Sequence, residues 1–288
     1  MTSVTLIEKM GSDLSIVRAA RLTSNKNDQQ SQSKEDPASI ASLIRYLIRH
    51  RHTSPFEFGK LHFEIECPIF VARQVLRHRT ANVNEFSQRY SDLPEEFDCY
   101  RPGSERYPWR GQSKSNRQAS SGIVNYNPGE YSTNEVGGLS AEAICGIEYF
   151  NRRTAGVSRE QARSCLPLGT FTRMRFCIDL HNLFNFIRLR INADAQQETA
   201  EVARLMLAIA REHFPISVAA FCDYMLNSIT LSALDIKMIV VYPINANHLD
   251  SGTLSRFATS IGMSSGEYQE HMLKRAVLIG ELTTGPTH

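Results

Sequence analysis

The sequence lacks the features that mark membrane-spanning proteins and disulfide-stabilised proteins. Its longest apolar stretch, Ile239 to Ile244, is far shorter than the ~20 residues that cross a bilayer. The six cysteines are irregularly spaced and form no Cys-x-x-Cys pair, which argues against a disulfide framework and a paired-cysteine zinc site. Residues Met1 to Asp13 show no basic region followed by an apolar core, so no signal peptide is predicted. We therefore expect a protein of the reduced cytoplasm, with neither a membrane span nor a bound metal.

The sequence also has little net charge and few lysines. Lys and Arg total 32 against 30 Asp and Glu, and 25 of the 32 basic residues are arginine. A net charge of +2 argues against a general nucleic-acid coat or a membrane-surface protein. Arginine grips phosphate and carboxylate groups through paired hydrogen bonds, so its excess favours anionic ligands held at defined points. A GC-rich genome would produce the same excess.

Helical periodicity covers most of the sequence, and alternating strand patterns are few. Asp36 and Pro37 begin a helix, because Asp can cap it and Pro is tolerated at the first helical position. Residues 61–65 alternate between apolar and polar, and residues 170–178 alternate more weakly, as strands do. Asp179 can cap the helix that follows. The pattern predicts an α+β fold, a helix-rich single domain with a small, mostly antiparallel sheet.

The chain is predicted to have one main domain and a tail. The main domain covers residues 1–230 and contains a loop-rich insertion at about 101–139, where Gly, Ser, Pro, Asn and Arg are frequent. Long loops inside compact chains are usually functional or disordered. Ser158 and Gln161 have the spacing of a capping box for a short helix. Residues 231–288 are predicted to form a C-terminal helical extension.

Polar and cationic side chains are concentrated between residues 73 and 90. A helix predicted from Pro68 to about Arg79 ends in basic residues, and residues 80–90 are polar and loop-like. Basic residues at a helix C-terminus complement the helix dipole. If Arg-His-Arg occurred alone, this structural role would explain its presence without a function. Two sets of side chains, however, have the spacing to share one side of their segment: Gln74, Arg77 and His78 on the helix, and Glu85, Ser87 and Arg89 in the loop. Such a density of donors and acceptors suits a nucleotide.

The order of these residues resembles the signature of the flavin-dependent thymidylate synthases. Arg77-His78-Arg79, seven residues and then Ser87 is that family's motif, and the flanks on both sides match as well. Further matches occur in order along the chain, at residues 52–57, 163–168, 179–190 and 195–198. The matches extend from about residue 36 to residue 224, and several ordered elements are improbable by accident.

The resemblance implies an activity and its cofactors. Members of the family methylate dUMP to dTMP, with methylenetetrahydrofolate as the carbon donor and NADPH as the reductant acting through bound FAD. They use no cysteine nucleophile and bind FAD and dUMP between the subunits of a homotetramer. No Gly-x-Gly-x-x-Gly occurs here, so a Rossmann-type site is not expected. Cys67, Cys165 and Cys177 are interpreted as small, buried hydrophobic side chains.

By the same resemblance, Arg190 and His52 are the catalytic candidates. The matching arginine stabilises negative charge on the uracil edge as N3 ionises, and a guanidinium suits this because it stays charged. His52 matches a position near folate and flavin, although His is also common at helix ends. Ser87 is interpreted as a hydrogen-bonding group, since the sequence has no Gly-x-Ser-x-Gly elbow to activate a nucleophile.

The resemblance also implies two sets of binding residues. The dUMP set is Gln74, Arg77, Glu85, Ser87, Gln88, Arg89, Arg163 and Arg190. The FAD set is Ser54, Arg77, His78, Arg79, Glu85, Asp179, His181 and Asn185. This chain departs from many members at three positions: it has Phe58 where they have His, and Asp179 and His181 where some have Asn and Arg. Asp179 is also suited to capping a helix.

Two other functions fit the sequence less well. The first is a nucleic-acid-binding protein that uses the arginine-rich loops, but the charge is near neutral and no RRM, zinc-finger or clear helix-turn-helix signature occurs. The second is a homologue that binds flavin or nucleotide without turnover. Salt dependence of binding would distinguish the first, and an activity assay the second.

Overall fold

The computed structural model describes most of the chain, and it confirms the predicted α+β class. The described residues are 1–22, 36–93, 99–100, 108–113, 120–126, 141–192, 195–242 and 251–278. The chain divides into two compact units, Met1–Ala220 and Phe221–His288. The boundary predicted after residue 230 stays a prediction, as does the insertion at 101–139, most of which lies outside the described residues.

A four-stranded antiparallel sheet forms the centre of the first unit. Its strands are β1 (Ser3–Met10), β2 (Lys60–Pro68), β3 (Asn82–Glu85) and β6 (Phe171–Asp179), in the order β1-β2-β6-β3. The alternation that predicted β2 is observed, because Leu61, Phe63 and Ile65 are fully buried. A separate two-stranded sheet pairs β4 (Arg110–Gln112) with β5 (Ser120–Ile123), so the part of the insertion that is described includes regular structure.

Eight α-helices begin in the described part of the first unit. They are α1 (Asp13–Leu22), α2 (Pro37–Arg49), α3 (Ile69–Val75), α4 (Ala141–Thr154), α5 (Arg159–Ala162), α6 (Leu180–Arg190), α7 (Gln197–His213) and α8 (Pro215–Phe221). Short 3-10 helices cover Ser54–Phe58 and Arg163–Cys165. No helix among the described residues combines the length and the hydropathy that a bilayer span requires.

Local capping signals identified two of these helix starts correctly. Asp36 accepts a hydrogen bond from the backbone N of Ser39 at 2.9 Å, and Asp179 accepts one from Asn182 N at 2.9 Å. The capping box predicted for Ser158 is wrong, since its side chain makes no capping hydrogen bond. Ser158 is exposed, so water can solvate its hydroxyl and the amides that the side chain would have capped.

The helix and the loop predicted between residues 68 and 90 both differ in the structure. Helix α3 ends at Val75 rather than near Arg79, so Arg77 and His78 follow it in a turn and share no helix face with Gln74. Residues Asn82–Glu85 form β3 instead of a loop. All four side chains of β3 are exposed, so no buried face imposed the alternation by which strands are recognised.

A buried carboxylate connects the start of the first unit to its end. Asp13, the first residue of α1, accepts hydrogen bonds from the backbone N atoms of Ile216 and Ser217, both at 3.0 Å. The hydroxyl of Ser217 donates a third bond to Asp13 at 2.6 Å. These donors lie in the first turn of α8, where backbone N–H groups have no partner within the helix. Asp13 therefore joins α1 to α8 across some two hundred residues of sequence.

The second unit contains a π-helical turn, Cys222–Leu226, and three α-helices, α9 (Ala233–Val241), α10 (Ser251–Ser260) and α11 (Ser265–Leu278). Met238 of α9 packs with Leu254 and Ala258 of α10. Buried Asp235 binds His271 and Lys274 of α11, at 2.9 and 2.7 Å. Burial alone would raise the pKa of Asp235, but the hydrogen bonds it accepts outweigh burial and lower that pKa. Helices α9, α10 and α11 lie within residues 231–288, and the assignment of these residues as a C-terminal extension stays a prediction.

Candidate active site

A cavity of about 790 Å³ opens between β3, α3 and the segment that follows α5. This volume is within the range of small-molecule sites in proteins. One wall is the face of α3 that carries Ile69, Ala72 and Arg73. A second wall is the segment 85–88, and a third runs from Glu160 to Leu168. The cavity therefore lies where the dense polar sequence between residues 73 and 90 meets a distant part of the chain.

Strand β3 places the motif segment at the cavity. Beyond the strand, the Phe86 backbone N donates to the Arg173 carbonyl of β6 at 2.8 Å, which extends the ladder toward Ser87. Glu85 accepts a hydrogen bond from the Thr172 hydroxyl at 2.8 Å, and Thr172 also lines the cavity. The chain then turns, and the Ser87 carbonyl accepts from Tyr90 N at 3.1 Å. Pairing with β6 thus fixes the positions of side chains in the segment 82–86, which the sequence predicted to be a loop.

The cavity is bordered by both positive and negative side chains. Arg73 and half-buried Arg163 supply positive charge, and Glu85 and Glu160 supply negative charge. Arg89 lies beside the cavity and pairs with Glu160, with 3.3 Å between Nη2 and Oε2. Exposed guanidinium groups of this kind can bind phosphate through paired hydrogen bonds. The site is therefore polar and suited to an anionic ligand.

The structure brings together only part of the predicted dUMP set in one chain. Glu85, Ser87, Gln88 and Arg163 line the cavity. Gln74 instead turns toward the N-terminal end of α7, where it donates to Gln196 and accepts from the Thr199 hydroxyl at 3.1 Å. The other predicted members are placed outside the cavity lining: Arg89 beside it, and Arg77 and Arg190 away from it.

A second polar group lies along α6 and includes much of the predicted FAD set. The His181 ring and the Asn185 amide are one turn apart, with 3.5 Å between Nε2 and Nδ2. His78 packs edge-on against Phe186, with ring centroids 5.6 Å apart. The Asp179 carboxylate is occupied by capping, because it accepts from both the backbone N and the side-chain amide of Asn182. The histidine and amide side chains of this group can therefore contact a ligand, whereas the Asp179 carboxylate caps α6.

The environment of His78 disfavours its charged form. Burial lowers the pKa of His78, and the nearby positive charge of Arg190 lowers it further. A hydrogen bond to the backbone of Asn182 and the charge of Asp179 oppose these effects without cancelling them. The Nε2 atom of His78 is buried and has no hydrogen-bond partner among the described residues. The imidazole of His78 therefore favours its neutral form and has one ring nitrogen without a described partner.

The remaining predicted residues are exposed and do not line the cavity. His52 stacks on Tyr46, with ring centroids 6.0 Å apart and an interplanar angle of 18°. Ser54 begins the 3-10 helix Ser54–Phe58. Arg77 and Arg79 follow α3 with exposed side chains. Within one chain these residues surround no described cavity, so their predicted roles stay predictions.

Comparison with known proteins identifies the family. The sequence pattern of the Thymidylate synthase complementing protein family matches residues 5–216, which include both polar groups described above. The chain belongs to this family. A flavin-dependent thymidylate synthase from Thermus thermophilus is 41% identical over 245 residues, which cover 82% of this chain and 81% of that protein. Another, from Ehrlichia ruminantium, is 40% identical over 237 residues, 82% of this chain and 75% of that protein.

Two solved structures have a similar fold. The UMP/dUMP methylase PolB from Streptomyces cacaoi, bound with 5-Br UMP, has a TM-score of 0.64 and 28% identity. The similarity covers 78% of this chain and 95% of that one. The same methylase bound with 5-Br dUMP has a TM-score of 0.61 and covers 78% of this chain and 96% of its own. The family resemblance predicted from the Arg-His-Arg motif is thus confirmed, and α9, α10 and α11 lie beyond the residues that match the family pattern.

Sequence reasoning missed three residues that this family member places at the cavity. Arg73 lies within the family match but was given no role, although it is exposed on α3 beside the cavity. Glu160 precedes Arg163 by three residues, and helical spacing could have indicated that both face one side. Thr172 is brought to the cavity by strand pairing, for which the sequence gives no local signal.

The cysteines of this family member differ from one another in burial. Cys67 is fully buried, as predicted, and burial raises the pKa of its thiol to about 12, with smaller contributions from Glu85 and Glu66. Cys165 and Cys177 are half-buried, so they are less buried than their interpretation as small, buried hydrophobic side chains implies. None of the three thiols lines the cavity.

Proposed function

We propose that this chain is a flavin-dependent thymidylate synthase that methylates dUMP to dTMP in the cytoplasm. The observation that carries the proposal is the cavity in which Glu85, Ser87, Gln88 and Arg163 converge, in a chain that belongs to this family. The carbon donor is methylenetetrahydrofolate, and NADPH is the reductant.

The cavity has the groups that a nucleoside monophosphate needs. Arg163 and Arg73 provide fixed positive charge for the phosphate, and Arg89 can exchange Glu160 for a phosphate oxygen. Ser87 and Gln88 can donate and accept hydrogen bonds at the sugar or base. Gln88 is buried, so its amide is held in place before the ligand arrives. We therefore assign the dUMP phosphate to the arginines and the nucleoside to the segment 85–88.

The α6 group fits a flavin, and we propose FAD as the cofactor. His181 and Asn185 present polar atoms on one face of α6, and the imidazole of His78 packs against Phe186 of the same helix. Arg77 and Arg79 are exposed cations that can hold the pyrophosphate, with Ser54 and Glu85 as further contacts. When bound, the flavin carries the reducing equivalents from NADPH to the nucleotide. Asp179 keeps its capping role in this assignment.

Two side chains are proposed to act directly on the reactants. Arg190 stabilises the negative charge that develops on the uracil ring, because its guanidinium stays charged at any working pH. His52 is placed near the folate and the flavin. Cys67, buried and with a raised pKa, is unsuited to act as a thiolate nucleophile. The methylation therefore proceeds in this proposal without a covalent bond to cysteine.

A homotetramer with shared sites accounts for the separation of the two groups. Arg163 lines the cavity, whereas Arg190 lies on α6 beside His78, although both are assigned to the same nucleotide. Residues from neighbouring subunits would bring the two groups to one dUMP. We propose that each complete site is assembled in this way and that an isolated chain holds part of it.

The proposal is tested on the purified protein in one cuvette. We expect a flavin absorbance spectrum that bleaches under anaerobic NADPH, faster when dUMP is present. Addition of methylenetetrahydrofolate should then yield dTMP. Bleaching without dTMP would favour a homologue without turnover. Failure to take up added FAD, together with nucleic-acid binding that weakens steeply with salt, would favour the arginine-rich binding protein.

A Ser87→Ala variant should retain measurable activity, with weaker dUMP binding. Ser87 serves in this assignment as a hydrogen-bonding group, and loss of one such bond weakens binding by roughly 0.5–1.5 kcal/mol, about two- to tenfold. Steady-state dTMP formation against dUMP concentration measures the change. Complete inactivity with dUMP binding intact would instead indicate a nucleophilic serine.

A further inference from the structure

Asp92 lies between the two chain segments that form opposing walls of the cavity. One wall is the segment 85–88, which ends four residues before Asp92. Asp92 Oδ1 accepts a hydrogen bond from Arg153 Nε at 2.5 Å, and Oδ2 accepts one from Arg159 Nη2 at 2.8 Å. Arg153 lies near the end of α4 and Arg159 begins α5, so one carboxylate joins the motif segment to both helices.

The inner side of this connection is buried. Tyr149 of α4 has no exposed surface, and its hydroxyl donates to Asp92 Oδ1 at 3.3 Å while accepting from Leu93 N at 3.2 Å. Leu93 and Tyr149 pack with Ala162 of α5 in one apolar cluster. The hydrogen bonds and the apolar packing therefore both hold the segment at Asp92 and Leu93 against α4 and α5.

Arg163 depends on this connection for its position. It follows α5, which has four residues, and begins a 3-10 helix of three residues. Helices this short have no stability of their own in water, so tertiary contacts must hold them. Ser158 provides no side-chain cap. The bond between Arg159 and Asp92 and the packing of Ala162 are contacts that hold this segment.

We propose that Asp92 is a positioning residue for the nucleotide: it holds Arg163 at a fixed distance from Ser87 and Gln88 across the cavity. The inference rests on the proposed function, since it concerns how dUMP is bound. Hydrogen bonds from Arg153 and Arg159 lower the pKa of Asp92 to about 2, so the carboxylate is charged at every pH at which the enzyme would be assayed. Asp92 itself touches neither substrate nor flavin.

An Asp92→Asn variant tests the inference with little change of shape. Asp92 is exposed, and exposed ion pairs contribute less than buried ones, so we expect KM for dUMP to rise about three- to fivefold. We expect kcat to change less than about twofold, because the reacting groups are untouched and only binding is lost. Bound FAD per subunit should stay unchanged, and the urea midpoint should fall only slightly, because Asp92 is exposed and water replaces part of the lost contact. The control is Glu267→Gln, which removes another exposed carboxylate, one that accepts from Ser264 N at 2.8 Å and does not line the cavity, and it should leave KM unchanged.

A double-mutant cycle separates positioning from a general structural role. If Asp92 acts through Arg163, Asp92→Asn should weaken dUMP binding much less in an Arg163→Ala background than in the unmodified protein. Should Asp92→Asn fail to fold, Arg159→Gln removes the same bond from the other side and takes its place in the cycle. Fully additive effects, or an unchanged KM, would overturn the inference alone. No dUMP binding by the unmodified protein would overturn the proposed function as well.

Discussion

An Arg190→Ala variant should keep its flavin and lose most of its turnover, by about 10²- to 10³-fold. The size of the loss follows from the proposed role, since a preorganised charge aimed at the uracil acts mainly on the transition state. Arg190 is half-buried at the end of α6 and close enough to His78 to lower the pKa of that histidine. The same variant should therefore raise the pKa of His78. Flavin absorbance and rates of dTMP formation measure the first two results, and NMR titration the third.

Helix α6 contains its own control for this experiment. Arg188 lies two residues earlier in the same last turn, carries the same charge, and is exposed. An Arg188→Ala variant should retain nearly full turnover and leave the pKa of His78 unchanged. Near-normal turnover of Arg190→Ala, or equal losses in the two variants, would remove Arg190 from its proposed role.

The largest loss of stability is expected from Asp13→Ala. The substitution leaves two backbone N–H groups and one hydroxyl at the start of α8 without their acceptor. A buried donor left unpaired costs about 1–3 kcal/mol, so the three together should lower the free energy of unfolding by about 3 kcal/mol or more. Urea unfolding followed by circular dichroism measures the change.

Asp36→Ala is the matched control for Asp13→Ala. Asp36 also caps a helix through a backbone N–H, but its bond to Ser39 is exposed to water. Loss of an exposed cap costs about 1 kcal/mol, because water replaces the lost acceptor. If Asp13→Ala cost no more than Asp36→Ala, the buried connection between α1 and α8 would not be the stabilising contact that the structure indicates.

Features decided by neighbouring residues were predicted well from the sequence. Asp36 and Asp179 cap their helices as expected, since a cap depends on residues three positions apart. Strand β2 was recognisable because one of its faces is buried. The family motif was found for a different reason. The order of its residues is specific to the family, so it could be identified although the secondary structure of the segment was predicted incorrectly. Each of these correct predictions rests on residues that are close together in the sequence.

Features decided by distant contacts were missed or misplaced. Gln74 was expected to face the motif loop, but α3 ends early and α7 supplies its partners Gln196 and Thr199. Strand β3 escaped notice because it is a strand only through its pairing with β6. Glu160 and Asp92 gain their importance from neighbours about 70 residues away. A single sequence contains no signal for contacts of this range.

The position of β6 in the sheet determines when the cavity can form during synthesis. Both β2 and β3 hydrogen-bond to β6, which is the last strand of this sheet to be made. A nascent chain that has emerged only as far as α5 already contains the motif segment, but the described partner of β3 is still inside the ribosome. Strand β3, from Asn82 to Glu85, therefore has no described pairing partner until Cys177 has emerged. The cavity, one wall of which follows β3, therefore cannot be completed before β6 has been made, and long-range pairing of this kind is slow to form.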